Sequence, residues 1–128
     1  MKTGRLAFTL VELVMVIVII GLLAAVVIPK FGDMKDEAKT AAEQGAVAGV
    51  RSGIKLVYLT NLAKGTDSYP ATLDSASNGV ASDANPLFDT VIEGGVTDGN
   101  WEKTGAKAYT YNPTGNSYTY DDSDGTFD

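Results

Sequence analysis

The chain has 128 residues, a net charge of −6, no cysteine and no histidine. That length holds one small domain beside an anchor, and the missing residue types exclude disulfide staples, cysteine nucleophiles, histidine bases and the usual zinc ligands. An acidic body repels nucleic acid at long range, so no direct nucleic-acid binding is expected.

The leader MKTGRLA carries Lys2 and Arg5 and no acid, which by the positive-inside tendency keeps this end in the cytoplasm and sends the rest across. Leu13 to Ile28 is unbroken apolar sequence and glycine; adding Ala7 to Val11 brings the span to about 22 residues, roughly 33 Å as a helix, enough to cross a bilayer. One charge, Glu12, sits inside it, and an unpaired carboxylate at the centre of a membrane helix costs on the order of 3 kcal/mol or more. Glu12 is therefore a candidate functional residue. An ordinary secretory signal peptide shares the basic and apolar order, but Glu12 interrupts the run and no clear A-x-A site follows it.

Basic leader, small Ala7, then Phe8-Thr9-Leu10-Val11-Glu12 and an apolar helix: this order resembles the class III signal of type IV prepilins and type II secretion pseudopilins. The likeness covers residues 1 to 31. It implies removal of leader residues 1–7 by a prepilin peptidase between Ala7 and Phe8, with N-methylation of the new Phe8 amine. The family usually has Gly where this chain has Ala7. It further implies a single-pass protein in the bacterial inner membrane, C-terminus outside the cytoplasm, held in the lipid bilayer before an inner-membrane assembly platform builds it into a homo-oligomeric helical filament at the cell surface. In such a filament the Glu12 carboxylate would meet the Phe8 amine of a neighbouring copy; pairing with its own amine is the alternative. Loss of Lys2 and Arg5 carries the net charge from −6 to −8.

The fold implied is α+β and pilin-like: a long N-terminal helix, membrane-spanning in its first half and kinked at Pro29, packed against a small C-terminal antiparallel sheet. Residues 8–30 form the membrane or filament-core helix, 31–64 its amphipathic continuation, 65–100 a variable loop and 101–128 a β meander. Pro29 removes a backbone bond and clashes with the preceding turn, so the helix should bend or loosen there. Gly21 is the weaker perturbation. In the resembling filaments the segment matching Gly21 to Pro29 can melt, which is the functional alternative to a simple kink.

Beyond Pro29, Val47, Val50, Ile54, Val57 and Tyr58 recur at three- and four-residue steps, an apolar stripe that the sheet would cover. Roughly opposite lie Gly45, Ala48, Gly49, Ser52 and Leu56, with Ala38, Ala41 and Ala42 upstream. Small residues there would let a second helix approach closely; otherwise the alanines simply favour helix. Gly65 ends the helix. The Ser/Asp/Asn/Gly-rich stretch after it carries at most short helical turns, with Pro70–Asp74 and Pro86–Ile92 the candidates and Leu73, Leu87, Phe88 and Ile92 as apolar anchors.

Trp101 opens a strand after the Asp98-Gly99 turn, AYTYN and SYTYD flank an NPTG turn, and Thr126-Phe127 returns as a short edge. Tyr109, Tyr111, Tyr118 and Tyr120 read as cross-strand pairs that pack a sheet on its helix rather than as a ligand stripe. Asp121, Asp122 and Asp124 invite calcium, which type II major pseudopilins hold near this end; against the EF-hand spacing the run fails at Tyr120 and lacks a terminal Glu, which leaves a solvated turn as the other reading. No other cofactor is expected. No catalytic constellation is present, so a structural subunit is expected rather than an enzyme. A type IV pilus subunit is the favoured function, because the Ser/Gly/Asn-rich loop suits an exposed fibre surface with properties such as cell adhesion and the acidic tail is a poor calcium motif; the alternatives are a type II secretion major pseudopilin and, second, a membrane-tethered binding module, for which the small-residue face would be superfluous.

Overall fold

The computed structural model describes residues 7–128. Of the leader, only Ala7 falls among them, so Lys2 and Arg5 lie outside the described residues. One helix, α1 (Leu10–Ala63), precedes five strands: β1 (Gly79–Val80), β2 (Trp101–Gly105), β3 (Ala108–Tyr111), β4 (Asn116–Asp121) and β5 (Thr126–Phe127). The chain divides into two units, Met1–Ala38 and Lys39–Asp128.

In the first unit α1 is assigned as continuous helix through Gly21 and Pro29. It is long and apolar enough to cross a membrane, and from Phe8 to Phe31 its large apolar side chains are exposed.

The second unit begins within α1 and contains the whole sheet. Helix α1 ends in a Schellman motif: Gly65 takes φ 84°, its N–H donates to the Leu62 carbonyl (2.9 Å), and the Thr66 N–H donates to that of Asn61 (2.9 Å). Only a residue without a Cβ adopts that angle cheaply, which is why the helix stops here. The strands form one antiparallel meander in sequence order. Register pairs Trp101 with Tyr111, Tyr109 with Tyr118, and Tyr120 with Phe127, so the aromatic residues share one face of the pleat. Gly115 (φ 78°) closes the NPTG turn.

That face, with Val47, Val50 and Ile54 of α1, makes a single core. Trp101, Tyr109 and Phe88 are fully buried. Tyr118 stacks on Phe127 (5.3 Å between centroids), and Phe88 meets Trp101 edge-on (5.4 Å). The four tyrosines are thus packing residues, with Tyr118 half-buried and the others buried. Val57 and Tyr58 extend the helix stripe only half-buried.

The loop between helix and sheet is anchored rather than loose. Leu73, Leu87 and Phe88 insert into the core, and reciprocal backbone bonds between Leu87 and Val96 (3.0 and 2.7 Å) close the segment between them. Pro86–Ile92 makes one helical turn, the Ile92 N–H reaching the Phe88 carbonyl at 2.8 Å. Pro70–Asp74 makes none; the Pro70 carbonyl instead accepts the Tyr120 hydroxyl (2.6 Å). Strand β1, a two-residue edge, was not expected from the sequence; Gly79 and Val80 pair with Lys103 and Glu102.

A buried polar network fixes this loop to the sheet. Lys103 Nζ contacts Asp74 Oδ1 at 2.5 Å and donates to the Ala76 carbonyl (2.8 Å). Asp74 Oδ2 accepts the Tyr109 hydroxyl (2.8 Å) and the Phe88 N–H (3.2 Å). No buried side-chain polar atom among the described residues lacks a partner.

Candidate functional site

The start of α1 brings the sequence-derived site residues together. Ala7, Phe8 and Thr9 precede the helix, and Phe8 is 81 % exposed. The peptide bond between Ala7 and Phe8 therefore lies in non-helical chain. Thr9 is the N-cap: its Oγ1 accepts the Glu12 N–H (3.2 Å), while its own N–H donates to Glu12 Oε2 (2.9 Å). These reciprocal bonds form a capping box, which satisfies two donors that a helix start otherwise leaves open. Glu12 thus has a partner on its own chain other than the Phe8 amine. The Thr-x-x-Glu spacing was the readable signal for it.

Gly21 has no neighbour within 4 Å of where a Cβ would stand, and Pro29 lies inside the continuous helix. Both are exposed.

In the second unit, the helix face opposite the core is uncharged and uncovered. Ala41, Gly45, Ala48, Ser52, Leu56 and Leu59 are all exposed, the two leucines at 66 % and 59 %. One part of the small-residue surface is not free for a second helix. A Cβ on Gly49 would touch Ile92 Cδ1 at 4.0 Å, and Gly53, which the small-residue pattern missed, is buried beneath Val91. The chain's own loop takes that edge.

Glu43 sits on the core side of α1, 2 % exposed, and its Oε1 accepts the Tyr118 hydroxyl at 2.6 Å. Burial acts to raise its pKa, but hydrogen bonds from Tyr118, Thr114 and Asn116 outweigh it and the carboxyl lies below its ordinary value. Burial and the same bond push the Tyr118 hydroxyl up to about 12, so it remains a donor at all ordinary pH values. A carboxyl with a depressed folded-state pKa adds stability above its unfolded-state pKa, and that stability is lost as pH falls through the folded value. Tyr118→Phe is therefore expected to move the acid unfolding midpoint to higher pH, read by circular dichroism; an unchanged midpoint would remove Glu43 from the acid response.

At the β4–β5 turn each acid has a local partner. Asp121 Oδ1 accepts the Ser123 N–H and hydroxyl (2.8 and 2.6 Å), and Asp124 Oδ1 accepts those of Thr126 (2.9 and 2.8 Å). Asp122 pairs with Lys107 at 2.6 Å. Bonds from Ser123 hold Asp121, and the Lys107 ammonium holds Asp122, below the ordinary carboxylate range. Among the described residues no group of three or more acids, histidines or cysteines is placed to hold a metal ion.

The chain is 31 % identical over 114 residues to the type II secretion system core protein G of Pseudomonas aeruginosa, covering 88 % of this chain and 70 % of that protein. It is 51 % identical over 45 residues to the type IV narrow pilus major component PilA5 of Thermus thermophilus, covering 35 % of this chain and 39 % of that one. No family model matches the chain, and no solved structure does. With the pseudopilin match spanning most of both chains, and with one long apolar helix leading into an antiparallel sheet, the chain belongs to the family of type IV pilins and type II secretion pseudopilins.

Proposed function

We propose that the chain is the structural subunit of a type IV pilus-like extracellular filament. Its leader is removed between Ala7 and Phe8 by a prepilin peptidase, Phe8 is N-methylated, and the subunit waits as a single-pass inner-membrane protein until an assembly platform adds it to the fibre. The observation that carries this reading is the uncharged face of α1 from Ala41 to Leu59, exposed on the side away from the domain's own core. Together with the exposed apolar residues from Phe8 to Phe31, it offers surface for helices of other copies. A membrane tether would need only the second of these.

Transfer from lipid into a helical bundle exchanges one apolar environment for another, so close packing and charge pairing must direct it. In this scheme Glu12 meets the terminal amine of a neighbour, and a misaligned subunit would leave both charges unpaired in an apolar core. Gly21 and Pro29 are the positions at which the helix would loosen within the fibre. The role is structural, and the acids of the β4–β5 turn pair locally with Ser123, Thr126 and Lys107.

A second reading, the type II secretion major pseudopilin, is favoured by the broader of the two matches, which covers 88 % of this chain. Electron microscopy of sheared surface material separates them. A surface fibre with this chain as its main component is the expected result; no such fibre, with loss of protein secretion on deletion of the chain, would replace the pilus by the pseudopilus.

A further inference from the structure

The second unit carries unmatched charges of opposite sign on the two flanks of its helix. From Ala41 to Ala63, α1 has three charged side chains, Glu43, Arg51 and Lys55. Glu43 is buried and accepts the Tyr118 hydroxyl. Arg51 donates to the Phe127 carbonyl (3.0 Å) and pairs with Asp128 (2.8 Å). Lys55 is exposed and has no partner among the described residues; with Arg51 and residues 125–128 it lines a hollow of about 160 Å³. On the other flank the loop crosses the helix, Val91 over Gly53 and Ile92 against Gly49. Two acids of that loop are engaged locally, Asp89 by the Ser75 hydroxyl and Asp98 by the Asn100 N–H. Glu93 is exposed and has no partner among the described residues.

We propose that the Lys55 flank of one copy receives Glu93 of the next copy, so that neighbouring subunits pack side to side through two different surfaces. This rests on the filament reading above and deepens it by naming which surfaces meet. At about 100° per residue, Arg51 and Lys55 lie nearly opposite Gly49 and Gly53 around α1, and the uncharged face from Ala41 to Leu59 lies between them. With that face turned to other helices, one flank of each copy looks toward the opposite flank of its neighbour. The contact is head-to-tail, with unlike patches meeting, and such a contact can repeat without limit. It is also staggered: Glu93 adjoins Ile92 at the level of Gly49, and Lys55 lies six positions further on, about 9 Å along the axis. A rotation combined with that offset builds an open helix and not a closed ring. An exposed pair adds little strength, so its contribution is choice of register and exclusion of like-charged approaches.

The test uses full chains in cells, with the membrane level of each variant and the yield of sheared filaments measured together. Lys55→Glu and Glu93→Lys each place like charges across the contact and are expected to lower filament yield by about tenfold, at unchanged membrane level. The double exchange, Lys55→Glu with Glu93→Lys, is expected to restore most of the yield. A second measurement uses the absence of native cysteine. Lys55→Cys, Glu93→Cys and the double variant are treated with a short bis-maleimide, because a lysine and a glutamate in contact hold their backbones further apart than a disulfide spans. Each single variant can give at most dimers and is expected to stay monomeric; the double is expected to give a ladder of dimers, trimers and higher species. Fibres at wild-type yield from both single charge reversals, a double exchange as poor as either single, or dimers from a single cysteine variant would each overturn the Lys55–Glu93 contact. So would fibres of the double cysteine variant that give no ladder, and in all these cases the filament reading stands. A wild-type chain that forms no fibre and a double cysteine variant that forms no ladder would bring down both.

Discussion

Lys103→Met is expected to destabilise the domain by about 3–5 kcal/mol, because it strands a buried carboxylate. Lys103 is 7 % exposed and Asp74 3 %. With the ammonium gone, Asp74 keeps the Tyr109 hydroxyl and the Phe88 N–H, two neutral donors that do not neutralise its charge, and the Ala76 carbonyl loses its donor. Methionine fills most of the volume of the lysine stem, so the loss reports charge rather than a cavity. The control is the double variant Lys103→Met with Asp74→Asn, which removes the stranded charge and leaves an acceptor for Tyr109. Denaturant midpoints of the full chain in detergent should fall sharply for the single variant and recover in large part for the double. Equal losses in both would mean that the pair contributes packing and not electrostatics.

That pair also marks where reading the sequence stopped. Trp101-Glu102-Lys103 was legible as the start of a strand, and alternation then puts Lys103 on the same face as Trp101. Lysine is rarely buried, however, and nothing local shows that Asp74, 29 positions earlier, supplies its partner. By contrast the tyrosine stripe was legible as packing because four aromatic residues at period two cannot all be solvated on a small sheet, and the strands place them against Val47, Val50 and Ile54 as that pattern requires. Strand β1 was illegible for the opposite reason: Gly79 and Val80 have little strand character, and only the exposed edge of β2 recruits them.

The candidate site divides in the same way. Glu12 stood out because a charge in an apolar run has few innocent explanations, and the class of protein followed from it and its neighbours. Thr9 was written in the same five residues, yet its place in a capping box depends on knowing where the helix begins. A capping box is a local motif with a clear spacing, and here the helix start at Leu10 gives it meaning.

Helix α1 carries glycines whose replacement should act in opposite directions, which makes them the sharpest test of the packing described here. Gly53 lies where the loop crosses the helix: a Cβ there would overlap the Val91 carbonyl oxygen, 2.8 Å from its carbon and 2.9 Å from the Val91 Cβ. These are backbone and branch-point atoms that cannot swing aside, so Gly53→Ala should displace the segment that carries Leu87 and Phe88 into the core. Overpacking of this kind costs about 1–3 kcal/mol or more, which outweighs the gain of up to about 1 kcal/mol from replacing a helical glycine by alanine. Gly45→Ala meets nothing within 4 Å, so only the helix gain remains, and the monomer in detergent should melt higher. The same added methyl stands on the uncharged face assigned to neighbouring copies, where close backbone approach depends on small residues. Gly45→Ala is therefore expected to raise monomer stability while lowering filament yield, and Gly53→Ala to lower both. A Gly45→Ala chain that gains stability and still assembles in full would show that neighbouring helices do not approach this position closely, and would move the inter-subunit contact elsewhere along α1.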